Sequence, residues 1–317
     1  MTPAALSVSG LTKRYGDRTV VDRLGIDLPS GVVAGFVGPN GAGKTTTMAM
    51  LLGLVRPTAG SGSVLGVSMD DPGSYLPRVG ALIESPAFYP SLSGAENLRV
   101  FATVGRHDVE RIPLLLDVVG LGERGDDRYR SYSLGMKQRL GIAAALLGDP
   151  ELLILDEPAN GLDPQGVREM RELISSLAST GRTVLVSSHD LSELEQVCDW
   201  LILIDTGRSL YQGPTRELLD GVVSELVVAA EPDDGDRLHD VLARSGHRVV
   251  ARDDRVVIDV DGADVTELAA AVNRAAFDAG IVLVELSPQR ITLEDRYLTM
   301  VGSTGGSTGG SSVGGAR

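Results

Sequence analysis

Residues 38–45 read Gly38-Pro39-Asn40-Gly41-Ala42-Gly43-Lys44-Thr45, which fits G-x-x-x-x-G-K-[ST]. No other stretch constrains the fold as much, because the pattern needs a strand leading in and a helix leading out. Glycines let backbone N–H groups approach phosphate oxygens, and the helix N-terminus adds the positive end of its dipole. The flanks meet the demand. Residues 31–37 are a short apolar run, and residues 45–54 carry a helical pattern. The spacing predicts that Lys44 reaches the β- and γ-phosphates and that the Thr45 hydroxyl binds Mg2+. Gly38, Pro39, Asn40, Gly41, Ala42, Gly43 and Thr46 complete the expected cradle. Lys13, Lys44 and Lys137 are the three lysines among 29 basic residues, so arginine is the default cation here and a lysine is informative.

Short apolar runs at 152–155 and 183–187 each follow a helical pattern, as parallel strands with crossover helices do. The first ends in Asp156-Glu157. Ligands of open α/β sheets sit at the carboxyl ends of such strands, which places Asp156 to hold Mg2+ and Glu157 to orient or deprotonate an attacking water. Residues 94–147 hold three helical patterns with no strand between them and read as a helical subdomain, about 85–150.

Further along, Ser133-Leu134-Gly135-Met136-Lys137-Gln138 looks like the start of a helix. Gly161-Leu162-Asp163 follows the acidic pair, and Ser187-Ser188-His189 follows the 183–187 strand. With these motifs in this order, the chain resembles the nucleotide-binding subunits of ABC transporters, and more narrowly those of the ABC-2 or bacitracin-resistance type. Gly80-Ala81-Leu82-Ile83-Glu84 and Pro86-Ala87-Phe88-Tyr89-Pro90 support the narrower likeness. The resemblance implies a P-loop NTPase fold that binds and hydrolyses ATP with Mg2+. It implies that Ser133 and Gly135 meet the γ-phosphate held by another copy, and that Asp163 lies in the loop beside them. It gives His189 contact with the γ-phosphate, and Tyr15 a stacking place against adenine. Glu84 stands where the family has glutamine and is implied as a further Mg2+ ligand. Tyr132, Leu134 and Met136 depart from the family's Leu-Ser-Gly-Gly-Gln. The implied partners are a second copy and a separate integral membrane permease, at the cytoplasmic face of the cell membrane, with export of an antibiotic, peptide or lipid.

From residue 224 the pattern changes to strand, helix, strand, strand, helix, strand, the order of a ferredoxin-like α+β unit. The expected division is thus 1–220 for the ATPase domain, 221–301 for the accessory domain, and a disordered Gly/Ser tail at 302–317. A short helix at about 293–300 precedes the tail. Net charge is −14, with no run of Lys and Arg, which argues against nucleic acid as a partner. The single cysteine, Cys198, can form no internal disulfide and reads as a buried small hydrophobe. No window approaches the roughly 18 consecutive apolar residues of a membrane span. Two other readings stay open: a soluble ATPase of the same class acting on ribosomes or DNA, and a nucleotide-gated regulator whose C-terminal unit binds a ligand.

Overall fold

The computed structural model describes residues 4–84, 87–219, 223–252, 255–260, 263–290 and 293–305. They divide into two compact units, the first built on Met1–Thr215 and the second on Arg216–Thr299.

In the first unit the chain runs β1 (Ala4–Tyr15), β2 (Arg18–Pro29), β3 (Val33–Val37), α1 (Lys44–Leu51), β4 (Ala59–Val64), β5 (Val67–Ser68), α2 (Pro72–Tyr75) and β6 (Val79–Leu82). The helical part follows as α3 (Gly94–Gly105), α4 (Ile112–Val118) and α5 (Leu134–Ala145). Then come β7 (Leu152–Leu155), α6 (Pro164–Ser179), β8 (Thr183–Ser188), α7 (Leu191–Glu195), β9 (Trp200–Asp205) and β10 (Arg208–Pro214), and α8 (Thr215–Leu219) crosses the boundary into the second unit.

A six-stranded sheet in the order β10-β9-β3-β8-β7-β6 forms the centre. Strands β6 to β9 and β3 pair in parallel, and β10 closes one edge antiparallel. Every residue of β3, β7 and β8 is buried, as strands covered on both faces must be. The register fixes where they end. Val37 lies beside Ser188, and Leu155 beside Val186. Residues 38, 156 and 189 therefore leave the sheet along one edge. Strand β3 starts at Val33 rather than at 31 because Gly31, at φ 79°, belongs to the preceding turn.

The sequence pattern did not reveal the second sheet, antiparallel and ordered β2-β1-β4-β5. Its first hairpin turns through Gly16-Asp17, with Gly16 at φ 57°. Leu6, Leu11, Leu24, Ile26 and Leu28 from this sheet join Phe36, Met48, Ile154 and Ile202 in one core. Cys198 is buried, as expected, and burial pushes its thiol pKa up.

In the second unit β11 (Val223–Ala230), α9 (Gly235–Arg244), β12 (Val249–Arg252), β13 (Arg255–Asp259), α10 (Val265–Asp278) and β14 (Leu283–Arg290) follow in order. The sheet order is β12-β13-β11-β14, with every pairing antiparallel. That is the ferredoxin-like arrangement. Leu226, Val228, Val256 and Ile258 pack against Leu238, Leu242, Val272 and Ala276 of the two helices. The expected turn at Asp253-Asp254 lies outside the described residues. The final helix, α11 (Leu293–Gly305), runs past 300 and into the stretch read as a disordered tail. Once a helix is nucleated, each added residue gains a bond at little cost, so an end set by composition alone falls short. Residues 306–317 lie outside the described residues.

Candidate functional site

The loop after β3 has no room for side chains at Gly38 and Gly43. A Cβ on Gly38 would stand 2.4 Å from the Ile204 carbonyl oxygen, and one on Gly43, at φ 101°, 2.9 Å from that of Val20. Gly43 occupies the N-cap of α1, and its left-handed conformation leaves the first N–H groups of the helix facing outward. Lys44 follows with its side chain folded back into the loop. Nζ donates to the Gly38 carbonyl at 2.6 Å, and the residue is only 7% exposed.

Three chain segments converge on this loop, at residues 15–20, 156–160 and 187–189. Thr45 Oγ1 donates to Asp156 Oδ2 at 2.7 Å. Lys44 Nζ lies 3.2 Å from Glu157 Oε1, and the other Glu157 oxygen meets His189 Nδ1 at 2.8 Å. Glu157 reaches both partners because its backbone turns at φ 49°, left-handed and costly for a residue with a side chain. Behind them, buried Ser187 donates to Asp156 Oδ1 at 2.5 Å and accepts from the Glu157 N–H at 2.9 Å. Lys44, Thr45, Glu157 and His189 floor an open cleft of about 600 Å3, and Asp156 stands just behind it on Thr45. Tyr15, Arg18 and Val20 of the first hairpin form its rim, with Asn40, Thr46 and Asn160 among the remaining walls. Tyr15 is half-exposed, and Lys13 Nζ lies 4.9 Å above its ring centroid.

The donor set suits a phosphorylated ligand with a hard divalent cation. Gly41 and Gly43, both at positive φ, shape the loop for close backbone approach. Thr45 and buried Asp156 bring two hard oxygens to one point, the chemistry Mg2+ takes with a carboxylate, a hydroxyl and substrate phosphates. The exposed ring of Tyr15 offers an apolar face for a base.

Other expected site residues stand apart in a single copy. Glu84 is exposed, sits at φ 57° after β6 and does not line the cleft, so Thr45 and Asp156 meet here without it. Ser133 caps α5, accepting from the Met136 N–H at 3.3 Å. Asp163 caps α6, accepting from the Gly166 N–H at 2.7 Å. Neither residue lines the cleft, nor does Gly135. Those two caps are neighbours of each other: a Cβ on Gly135 would touch Leu162, and one on Gly161 would touch Leu134. Of the cleft residues, the sequence passes over Arg18, Val20 and Asn160, and it gives no role to Ser187 behind them. Arg18 follows the two-residue turn after Tyr15, which could have placed it. Ser187 reads only as the end of a strand.

Comparisons with known proteins give the chain's likenesses. The ABC transporter family model matches residues 21–160, and a family described only as a domain of unknown function matches residues 227–294. The bacitracin transport ATP-binding protein BcrA of Bacillus licheniformis is 47% identical over 216 residues, 67% of this chain and 71% of that protein. Its namesake from Enterococcus faecalis is 36% identical over 308 residues, covering 95% of this chain and 97% of its own. The lantibiotic transport ATP-binding protein SrtF of Streptococcus pyogenes is 43% identical over 207 residues, 65% of this chain and 90% of that protein. A solved ATP-binding subunit of an ABC transporter superposes with a TM-score of 0.60 at 30% identity, over 68% of this chain and 91% of its own.

Proposed function

Because the chain belongs to the family of ABC transporter ATP-binding subunits, among the relatives of the bacitracin and lantibiotic transport ATPases, we propose that it is the motor of an exporter, two copies working on a separate membrane permease. The chain is an ATPase. The observation that carries the finer reading is the meeting of Lys44, Thr45, Glu157 and His189 in one cleft, with Asp156 bonded to Thr45 behind them, all drawn from the ends of β3, β7 and β8.

The 38–45 loop and Lys44 bind the phosphates, and Tyr15 supports the base. Thr45 and Asp156 would hold Mg2+, which would supply charge neutralisation for the phosphates. Glu157 orients the attacking water and takes its proton, a contribution typically worth about 10²–10⁴-fold. His189 holds the Glu157 carboxylate in place and stands where it would register the terminal phosphate. Glu84 is a less direct candidate for the cation, since it reaches the cleft only if its loop turns inward.

The dimer follows from what the cleft lacks. Ser133 and Gly135 lie away from it, at the exposed start of α5, where N–H groups and the helix dipole favour an anion. A second copy in the opposite orientation would bring its own Ser133, Gly135 and Asp163 loop against this cleft. ATP then bridges the two copies, and hydrolysis removes the bridge. Such a cycle moves a permease only by binding its two states differently. Among the described residues no helix is long and apolar enough to cross a membrane, so the reading puts the transport path in another chain and this one at the inner membrane face. Of the exported classes expected, antibiotic, peptide or lipid, the named relatives support the antibiotic, by their bacitracin and lantibiotic transport.

The test is the solution mass of Glu157→Gln with and without Mg-ATP, by light scattering after gel filtration. A shift from monomer to dimer with ATP, absent in Lys44→Ala, supports the paired motor. Bound ATP with an unchanged monomer mass refutes self-association of the isolated subunit.

A further inference from the structure

Ser187 has no assigned part in the site, yet it is the best-connected hydroxyl there. It lies in β8 after the apolar residues 184–186 and is fully buried, 0% exposed. A hydroxyl so placed must find partners. It finds one of each kind at the end of β7, donating to Asp156 Oδ1 at 2.5 Å and accepting from the Glu157 N–H at 2.9 Å. The pairing of Leu155 with Val186 brings these groups level.

We propose that Ser187 is a positioning residue for ATP hydrolysis, linking the carboxylate that faces the cation to the backbone of the carboxylate that faces the water. The proposal rests on the roles given above to Asp156 and Glu157. Two observations carry it. With Oδ1 engaged by Ser187, the plane of the Asp156 carboxylate is fixed with Oδ2 against Thr45 at 2.7 Å. And Glu157 sits at φ 49°, a conformation that persists only where its surroundings hold it; the bond from its N–H to Ser187 is such a hold. The chain from Glu157 N–H through the Ser187 hydroxyl to Asp156 runs in one direction, so each bond polarises the next. Ser187 does not line the cleft. It therefore acts on turnover and cation use rather than on nucleotide affinity.

The experiment compares Ser187→Ala and Ser187→Thr in the full chain, reading steady-state ATPase, the Mg2+ concentration for half-maximal turnover, ATP affinity and melting temperature. Loss of an outer partner of a metal-ligating carboxylate typically costs about 10–100-fold in activity or metal affinity. Ser187→Ala should lose turnover in that range and need more Mg2+, with ATP affinity within about threefold of the parent, since no phosphate contact is removed. Ser187→Thr keeps the hydroxyl and should recover most of the lost turnover. A lower melting temperature with turnover and Mg2+ midpoint unchanged would make Ser187 a structural residue and overturn the proposal. So would a folded threonine variant no better than alanine. Glu157→Gln serves as the control: undiminished turnover there would sink the underlying roles instead.

Discussion

Lys44 shows how a single residue is prepared for its ligand. Its ammonium is nearly buried, and its charge is met by Glu157 and by the Gly38 carbonyl. In the proposed role, a phosphate would replace the carboxylate as the stronger partner and release Glu157 toward water. Lys44→Ala removes the cation and leaves the Glu157 carboxylate with His189 alone. Hydrogen bonds to charged groups are worth about 1.5–3 kcal/mol. Affinity for ATP should therefore fall by about 10–150-fold, as a fluorescent nucleotide titration would measure; unchanged affinity would refute the phosphate-loop assignment. Lys44, Thr45, Asp156 and Glu157 were legible in the sequence because their chemistry demands fixed neighbours: glycines before the lysine and an apolar strand before the acids. Ser187 was not. Its function depends on the register of β8 against β7, and a register is a property of two strands rather than of one.

Between elements, the helical part shows how a departure from family pattern is absorbed. Tyr132, where the family has leucine, is buried, and its hydroxyl donates to the Arg124 carbonyl at 2.7 Å. Its ring joins Tyr129, which packs edge-on against Phe88 beside Phe101. Space for it comes from Gly94 at the start of α3, where a Cβ would stand 2.2 Å from the Tyr132 hydroxyl. Gly94→Ala should therefore destabilise the protein, by about 1–3 kcal/mol for an overpacked site. Tyr132→Phe removes the nearest clashing atom, so the double variant should cost less than the two single changes summed. Urea unfolding of the four proteins measures the coupling, and strict additivity would contradict the contact. One position earlier, Ser93 accepts from the Glu96 N–H while Glu96 accepts from the Ser93 N–H, a complete capping box. Ser93→Ala should cost about 1 kcal/mol in the same assay. That box was present in the sequence as Ser-Gly-Ala-Glu. The antiparallel sheet was harder to see. Its strands carry bulges, with register shifts between Val8 and Leu11 and again near Lys13, and these break the period-2 signal.

Asp149 ties parts of the first unit together. Arg111, ahead of α4, and Arg182, ahead of β8, both donate to Oδ1 of Asp149, which precedes β7. The two guanidinium bonds, Arg111 first, hold its pKa below the ordinary carboxylate value. A depressed folded pKa adds stability that is present above the unfolded value near 3.8 and is lost as pH falls through the lower folded value. The group is 61% exposed, so solvent screening keeps the contribution under about 1 kcal/mol. Asp149→Asn should thus be slightly less stable at neutral pH and converge on the parent in acid. A difference that grows in acid would reverse the sign and refute the reading.

For the whole molecule, the question is whether two cores mean two folding units. Among the described residues, the core around Phe36, Met48 and Ile154 draws on residues up to 204, and the core around Leu226, Val256 and Val272 on residues from 226 onward. All the residues that line the cleft belong to the first unit. This much was legible, because the change from parallel-strand runs to a β-α-β-β-α-β order marks the junction in the sequence. A ligand that binds only the folded state stabilises by RT ln(1 + [L]/Kd), about 2.7 kcal/mol at a hundred times Kd. In Glu157→Gln, which should bind ATP without consuming it, that stabilisation enters through the first core alone. For a unit of this size 1 kcal/mol moves a transition by about 2–4 °C, so saturating Mg-ATP should raise one melting transition by about 5–10 °C. The other transition should stay in place. Calorimetry distinguishes the alternatives. Two transitions with only one moved by ATP mean that the accessory unit folds on its own account. It is then available to bind something else without disturbing the motor. A single transition carried upward as a whole means that the two cores melt together, and that any ligand of the second unit would be felt at the cleft.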